Sequence, residues 1–124
     1  MVSIKSISII FLAFLMSACD SANNITVKKA YIKLSDENVI FLDVRTREEF
    51  LQDGRIQYSI LIPLDKLKDS QNKIEKYIDK EIFVYCRSGR RSEIATRYLN
   101  EQGFRAFNLI GGFLAWEKML SQIN

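Results

Sequence analysis

Cys86 is preceded by Ile82-Phe83-Val84-Tyr85 and followed by Arg87-Ser88-Gly89-Arg90-Arg91-Ser92. A thiol reacts as its thiolate, and an unperturbed cysteine with a pKa of roughly 8.5 is mostly protonated at neutral pH. Something has to stabilise negative sulfur here. An apolar run ending at Cys86 reads as a buried strand, and a helical pattern begins at Ser92 and runs to about Gln102, so the thiol falls between a strand end and a helix start. Unpaired N–H groups at a helix N-terminus and in a tight loop supply partial positive charge. Gly89 permits φ > 0, and three arginines add full charges that would also attract an anion. A cysteine at a strand end is more often inert packing. The glycine and arginines directly after Cys86 favour an activated sulfur nucleophile instead, with Arg87, Ser88, Gly89, Arg90, Arg91 and Ser92 as its anion-binding loop.

The elements that must hold this loop can be read on either side of it. Val39-Ile40-Phe41-Leu42-Asp43-Val44 is apolar at alternate and intervening positions alike, the pattern of a central parallel strand covered on both faces. Asp43 lies at its carboxyl end, where open α/β sheets place their ligands. It orients Arg45, braces the Cys86 loop or caps nearby backbone N–H groups. Thr26 can cap a short helix through about Leu34. Thr46-Arg47-Glu48-Glu49 has capping-box spacing and starts another that ends before Gly54. Ile60-Leu61-Ile62 reads as a short strand. Leu64 to about Ile78 reads as a surface helix, or as one broken near Ser70-Gln71. Beyond the loop, Ile94, Ala95, Tyr98 and Leu99 recur at helical spacing and Gly103 ends that helix. Arg105 to Leu109 is a further strand, Gly111-Gly112 a tight turn, and Phe113, Trp116 and Leu120 mark a last helix with Trp116 in the core. Strands alternating with helices imply an α/β domain with a parallel sheet of about five strands flanked by helices.

Three blocks resemble one family. Cys86-Arg87-Ser88-Gly89-Arg90-Arg91-Ser92 is similar to the active-site loop of the rhodanese (thiosulfate sulfurtransferase) domain family, Cys-x-x-Gly-x-Arg followed by Ser. Leu42-Asp43-Val44-Arg45 with Glu48-Glu49-Phe50 and Gly54-Arg55-Ile56 resembles its first motif. Asn108-Leu109-Ile110-Gly111-Gly112-Phe113 with Ala115-Trp116 resembles its last. The resemblance implies a rhodanese-like fold over residues 25–124 and a double displacement. Cys86 would take a sulfane sulfur from an anionic donor such as thiosulfate and pass it to cyanide or a thiol. Arg91, with Arg87, Arg90 or Arg45, would hold the donor. Asp43 and Arg45 are supporting residues. Related phosphatases use Cys-x5-Arg, whereas Arg91 completes Cys-x4-Arg, the sulfur-transferring length. The alternatives are a non-catalytic persulfide carrier or docking module, and, further off, a Cys-dependent phosphatase or arsenate reductase. Relatives usually read Gly-His-Ile-x-Gly-Ala-x-Asn-Ile-Pro where this chain has Arg55, Tyr58, Ser59 and Leu61 at the His, second Gly, Ala and Asn positions.

The composition removes other chemistries. The chain has no histidine, which excludes Cys-His and Ser-His-Asp mechanisms and the commonest metal ligand. With two cysteines far apart, neither a metal nor a cofactor is expected. Net charge is +3 and no Lys/Arg run exists outside the loop, so nucleic acid is not an expected partner. At 124 residues the chain fits one small domain and an N-terminal tail. Lys5 followed by apolar Ile7 to Met16 has the length of a signal peptide. Leu15-Met16-Ser17-Ala18-Cys19 resembles the bacterial lipobox, with Met16 in place of the usual leucine. The expectation is therefore a signal peptide over residues 1–18, lipidation at Cys19 and a tether over 19–24. The protein would be a monomer lipid-anchored to a bacterial envelope membrane, facing the periplasm or exterior, with Cys86 its one free thiol.

Overall fold

The structure, a computed structural model, describes residues 23–124. Lys5, the Ile7–Met16 segment and Cys19 lie outside the described residues.

Five strands, β1 (Asn24–Ile25), β2 (Val39–Asp43), β3 (Ile60–Leu61), β4 (Glu81–Tyr85) and β5 (Arg105–Leu109), alternate with helices. The helices are α1 (Val27–Ile32), α2 (Arg47–Gln52), α3 (Gln71–Ile74), α4 (Arg90–Glu101) and α5 (Gly112–Ile123). The sheet runs β1-β5-β4-β2-β3 with every pair parallel. From β2 the chain steps outward to β3, and from β4 it steps outward the other way to β5. The strand order thus reverses between β2 and β4, and the crevice at such a reversal is where a parallel sheet leaves room for a ligand.

Alternation along the central strands divides the core in two. Leu42 and Val44, with Ile82, Val84 and Cys86, face Ala95 and Leu99 of α4 and the segment carrying Leu67 and Ile74. Val39, Phe41, Phe83 and Tyr85 face Ala30 of α1 and Phe113, Trp116 and Met119 of α5. Residues on both faces of β2 and β4 are buried because helices cover both, which is why these strands read as unbroken apolar runs. Trp116 is a core residue, 3% exposed, with Phe41 and Tyr31 ring centroids 5.7 and 5.8 Å away.

Three local details refine the sequence reading. Helix α4 begins at Arg90, two residues before the Ser92 marked by the pattern, because Gly89 at its N-cap takes a left-handed conformation with φ 116°. Asn24, expected at the end of a polar tether, pairs with Asn108, and its two-residue edge strand is too short and too polar to have announced itself. Leu64 to Ile78 is a chain of 3-10 turns around the single α turn of α3. Leu64 to Leu67 and Ile74 to Tyr77 are three-residue steps, which a 3-10 turn places on one side.

Candidate active site

Cys86 directly follows β4, and its sulfur side chain belongs to the α4 face of the core, 1% exposed. The loop after it is shaped from the other side. Phe113 N–H and Leu114 N–H, in the first turn of α5, donate to the carbonyls of Cys86 and Arg87 at 2.8 and 3.1 Å. Because a peptide unit is planar and trans, drawing those carbonyls toward α5 turns the N–H groups of Arg87 and Ser88 the opposite way. Only glycine fits where α5 meets the loop. A Cβ on Gly112 would lie 2.6 Å from both carbonyl oxygens.

The sulfur sits among donors. Gly89 N–H donates to Cys86 Sγ at 3.1 Å, and Ser92 Oγ is 3.3 Å from it. Burial pushes the thiol pKa up, but the Ser92 hydroxyl and the N–H groups of Ser92, Gly89 and Ser88 outweigh it, so the net direction is down. Ser92 is itself held, with its Oγ 2.6 Å from Asn108 Oδ1 and 3.1 Å from Gly89 O.

The arginines divide into two kinds. Arg91 is clamped by Glu49 of α2 through bonds of 2.6 and 2.9 Å. That bond chiefly, with charge attraction to Glu49 and to the Cys86 sulfur, raises the Arg91 pKa against partial burial. Arg45, 1% exposed, donates to both carboxylate oxygens of Asp43 and, at 2.7 Å, to Gly54 O. It also lies over the rings of Phe113 and Tyr85 at 4.6 and 5.4 Å. Arg45 N–H donates to Asp43 Oδ1, so Asp43 orients Arg45 and caps backbone at once. Arg87 and Arg90 are exposed, and neither has an ion-pair partner among the described residues. Arg87 borders a cleft of about 240 Å³ together with Arg45, Asp53, Phe113, Leu114 and Glu117. Arg55 is stacked over Phe50 at 4.2 Å and borders a different cleft, beside Trp116.

Of the loop residues singled out in the sequence, Ser88, Gly89, Arg91 and Ser92 act on the sulfur, while Arg87 and Arg90 are exposed; Glu49, Asn108 and Gly112 join the loop as unassigned partners. Glu49 is fully explained locally by its capping box with Thr46, which hides its second role. Asn108 did leave a signal: a polar residue inside an apolar strand is buried only when it has a partner.

A parallel α/β domain with a hydrogen-bonded thiol at a strand's carboxyl end is a scaffold for a thiolate nucleophile. The comparisons with known proteins agree on its kind. The model of the rhodanese-like domain family matches residues 26–119. A sulfurtransferase of Allochromatium vinosum is 37% identical over 98 residues, covering 77% of this chain and 89% of that protein. The crystal structure of a rhodanese-like domain protein from Staphylococcus aureus is similar at 35% identity and TM-score 0.68, over 76% of this chain and 90% of that one. Reduced Bacillus anthracis CoADR-RHD aligns at 31% identity and TM-score 0.74 over 82% of this chain, which spans only 17% of that longer protein. The chain belongs to the rhodanese-like domain family.

Proposed function

We propose that this protein transfers a sulfane sulfur from a small anionic donor such as thiosulfate to a thiophilic acceptor, cyanide or a thiol, through a persulfide on Cys86. The observation that carries the reading is the buried Cys86 sulfur, with Gly89 N–H and Ser92 Oγ at 3.1 and 3.3 Å. The thiolate attacks the donor's outer sulfur and forms a new S–S bond. The old S–S bond breaks and sulfite departs with the electron pair. The terminal persulfide sulfur carries the negative charge where loop N–H groups already point. The acceptor then attacks that terminal sulfur, and the Cys86 thiolate is released as the leaving group. Arg91, which Glu49 holds and which feels the Cys86 sulfur, keeps N–H donors for the donor's anionic end, and the exposed Arg87 and Arg90 add positive charge.

Thiosulfate followed by cyanide should yield thiocyanate from the protein and none from Cys86→Ala, with intact mass showing one added sulfur after the first step. Neither thiocyanate nor added sulfur would reject sulfur transfer and leave a docking module. The same reading puts the protein on a bacterial envelope membrane as a Cys19-anchored monomer. It rests on Ile7 to Met16 and Ser17-Ala18-Cys19, and lipid labelling that is retained in Cys19→Ala would refute it.

A further inference from the structure

Ser92 Oγ has three acceptors within reach: Cys86 Sγ at 3.3 Å, Gly89 O at 3.1 Å and Asn108 Oδ1 at 2.6 Å. A serine hydroxyl carries one proton, so it cannot serve all three. With Cys86 protonated the chain closes, S–H donating to Ser92 Oγ and the Ser92 proton going to Asn108 Oδ1. Removing the thiol proton breaks this order. The sulfur now only accepts, and the Ser92 proton has to turn toward it. Two oxygens would then face each other at 2.6 Å with no proton between them, inside a buried network where such a pair is costly. Half a turn of the Asn108 carboxamide removes the conflict, because Nδ2 takes the place of Oδ1 and donates to Ser92 Oγ. Asparagine has both a donor and an acceptor to offer there; an aspartate can only accept.

The geometry points to Asn108 as a positioning residue for the sulfur. It presents its amide oxygen to Ser92 while Cys86 is a thiol and its amide nitrogen when Cys86 is a thiolate or persulfide anion, so that the Ser92 hydroxyl is delivered to the charge. Other charges around the sulfur come from different elements. They are Arg90 and Arg91 of α4, the latter with its partner Glu49 of α2, Arg87 of the loop, and Asp43 at the end of β2 with Arg45 just beyond it. Asp53 and Glu117 border the cleft at Arg87. The end of β5, Asn108-Leu109, and the start of α5, Gly112-Phe113-Leu114, bring no charge. Through Asn108, β5 therefore acts on Cys86 by a hydrogen bond alone.

This inference rests on Cys86 being the sulfur carrier, yet its test needs no sulfur transfer. Iodoacetamide alkylation of Cys86, read on its own peptide by mass spectrometry, is followed against pH in the protein, Asn108→Asp, Ser92→Ala and the double variant. Asn108→Asp should slow alkylation at pH 7 by about ten-fold or more when Ser92 is present, the size of a lost charge-assisted hydrogen bond, and far less in the Ser92→Ala background. Equal slowing in both backgrounds would mean that the aspartate acts only through its charge and would overturn the proposal. No slowing in either would overturn it too. Should Asn108→Asp fail to fold, the side-chain amide NMR signals of Asn108 in the unaltered protein decide. They should shift with the same midpoint as alkylation and stay fixed in Cys86→Ala. Signals that ignore the thiol's ionisation would end the idea.

Discussion

Glu49 and Arg91, 42 residues apart, meet with both carboxylate oxygens matched to the two terminal guanidinium nitrogens, at 2.6 and 2.9 Å. The pair ties α2 to the first turn of α4, so the helix that begins at the Cys86 loop cannot shift without pulling on the Asp43 side of the site. The Arg91 bond chiefly holds the Glu49 carboxyl down at about 2 against partial burial, with Thr46 contributing backbone and hydroxyl bonds. A carboxylate depressed in the folded state adds stability above its unfolded value of 4.5, and that contribution is lost as pH falls toward about 2. The side chains are 21% and 35% exposed, so solvent screens the pair. Glu49→Gln should therefore cost about 1 kcal/mol at pH 7. Urea unfolding should show the gap to the unaltered protein closing between pH 4.5 and pH 2; a gap independent of pH would contradict this account.

The second expectation concerns the thiol itself. Burial opposes ionisation of Cys86, and the Ser92 hydroxyl with the loop N–H groups overcomes it, so the thiol ionises at lower pH than an ordinary cysteine. Alkylation and sulfur transfer should both rise with pH and level off earlier than for a free cysteine. Ser92→Ala removes one hydrogen bond to charged sulfur, which should slow both reactions about ten-fold at pH 7 and move the rise to higher pH. Superimposable profiles would remove Ser92 from the site.

The fold was legible because its central strands are buried on both faces. Ile82 to Tyr85 and Val39 to Leu42 have no polar side, and only a sheet covered by helices twice over uses such segments. The site was legible as a loop, because Cys86, Gly89 and the arginines are adjacent in the chain. What stayed hidden were partners brought together by folding. Nothing in the spacing of Glu49 and Arg91 announces their pairing, and Arg91 seen alone looks like a cation waiting for a substrate. Arg45 is the contrasting case: Asp43, two residues earlier, was open to reading as the residue that orients it, and the two pair inside the core. Exposure, which leaves Arg87 and Arg90 at the surface, is a property of the packed molecule.

Gly112 offers a test of how tightly α5 shapes the loop. Its φ is +60°, and an added Cβ would lie 2.6 Å from the Cys86 and Arg87 carbonyl oxygens. Gly112→Ala must push α5 away from these carbonyls and loosen the N–H groups around the sulfur. Misplacing a reacting group by about an ångström can cost 100-fold in rate, so thiocyanate formation should fall by roughly that factor. Gly103→Ala is the comparison, because Gly103 has φ +92° but no neighbour within 4 Å of its added Cβ. It should lose about 1–2 kcal/mol of stability and no activity. Equal activity in the two variants would show that α5 does not set the loop.

Tyr58 stands where the family usually has its second glycine, and it is the one non-glycine among the described residues with positive φ, +65°. A side chain in this conformation carries a steric penalty of about 1–2 kcal/mol, partly offset because a glycine there loses more chain entropy on folding. The tyrosine is 76% exposed, so little burial is lost by removing it. Tyr58→Gly should raise stability by roughly 0.5–1 kcal/mol, a few degrees in Tm for a domain of this size. Tyr58→Ala keeps a Cβ in the same backbone conformation and should give no such gain. Sulfur transfer measured beside the melting curves makes the result informative in either direction. A Tyr58→Gly protein that melts higher and works equally well makes the tyrosine a tolerated strain. One that melts higher but, against the unaltered protein, loses transfer to a thiol and keeps transfer to cyanide ties the strain to use of the larger acceptor.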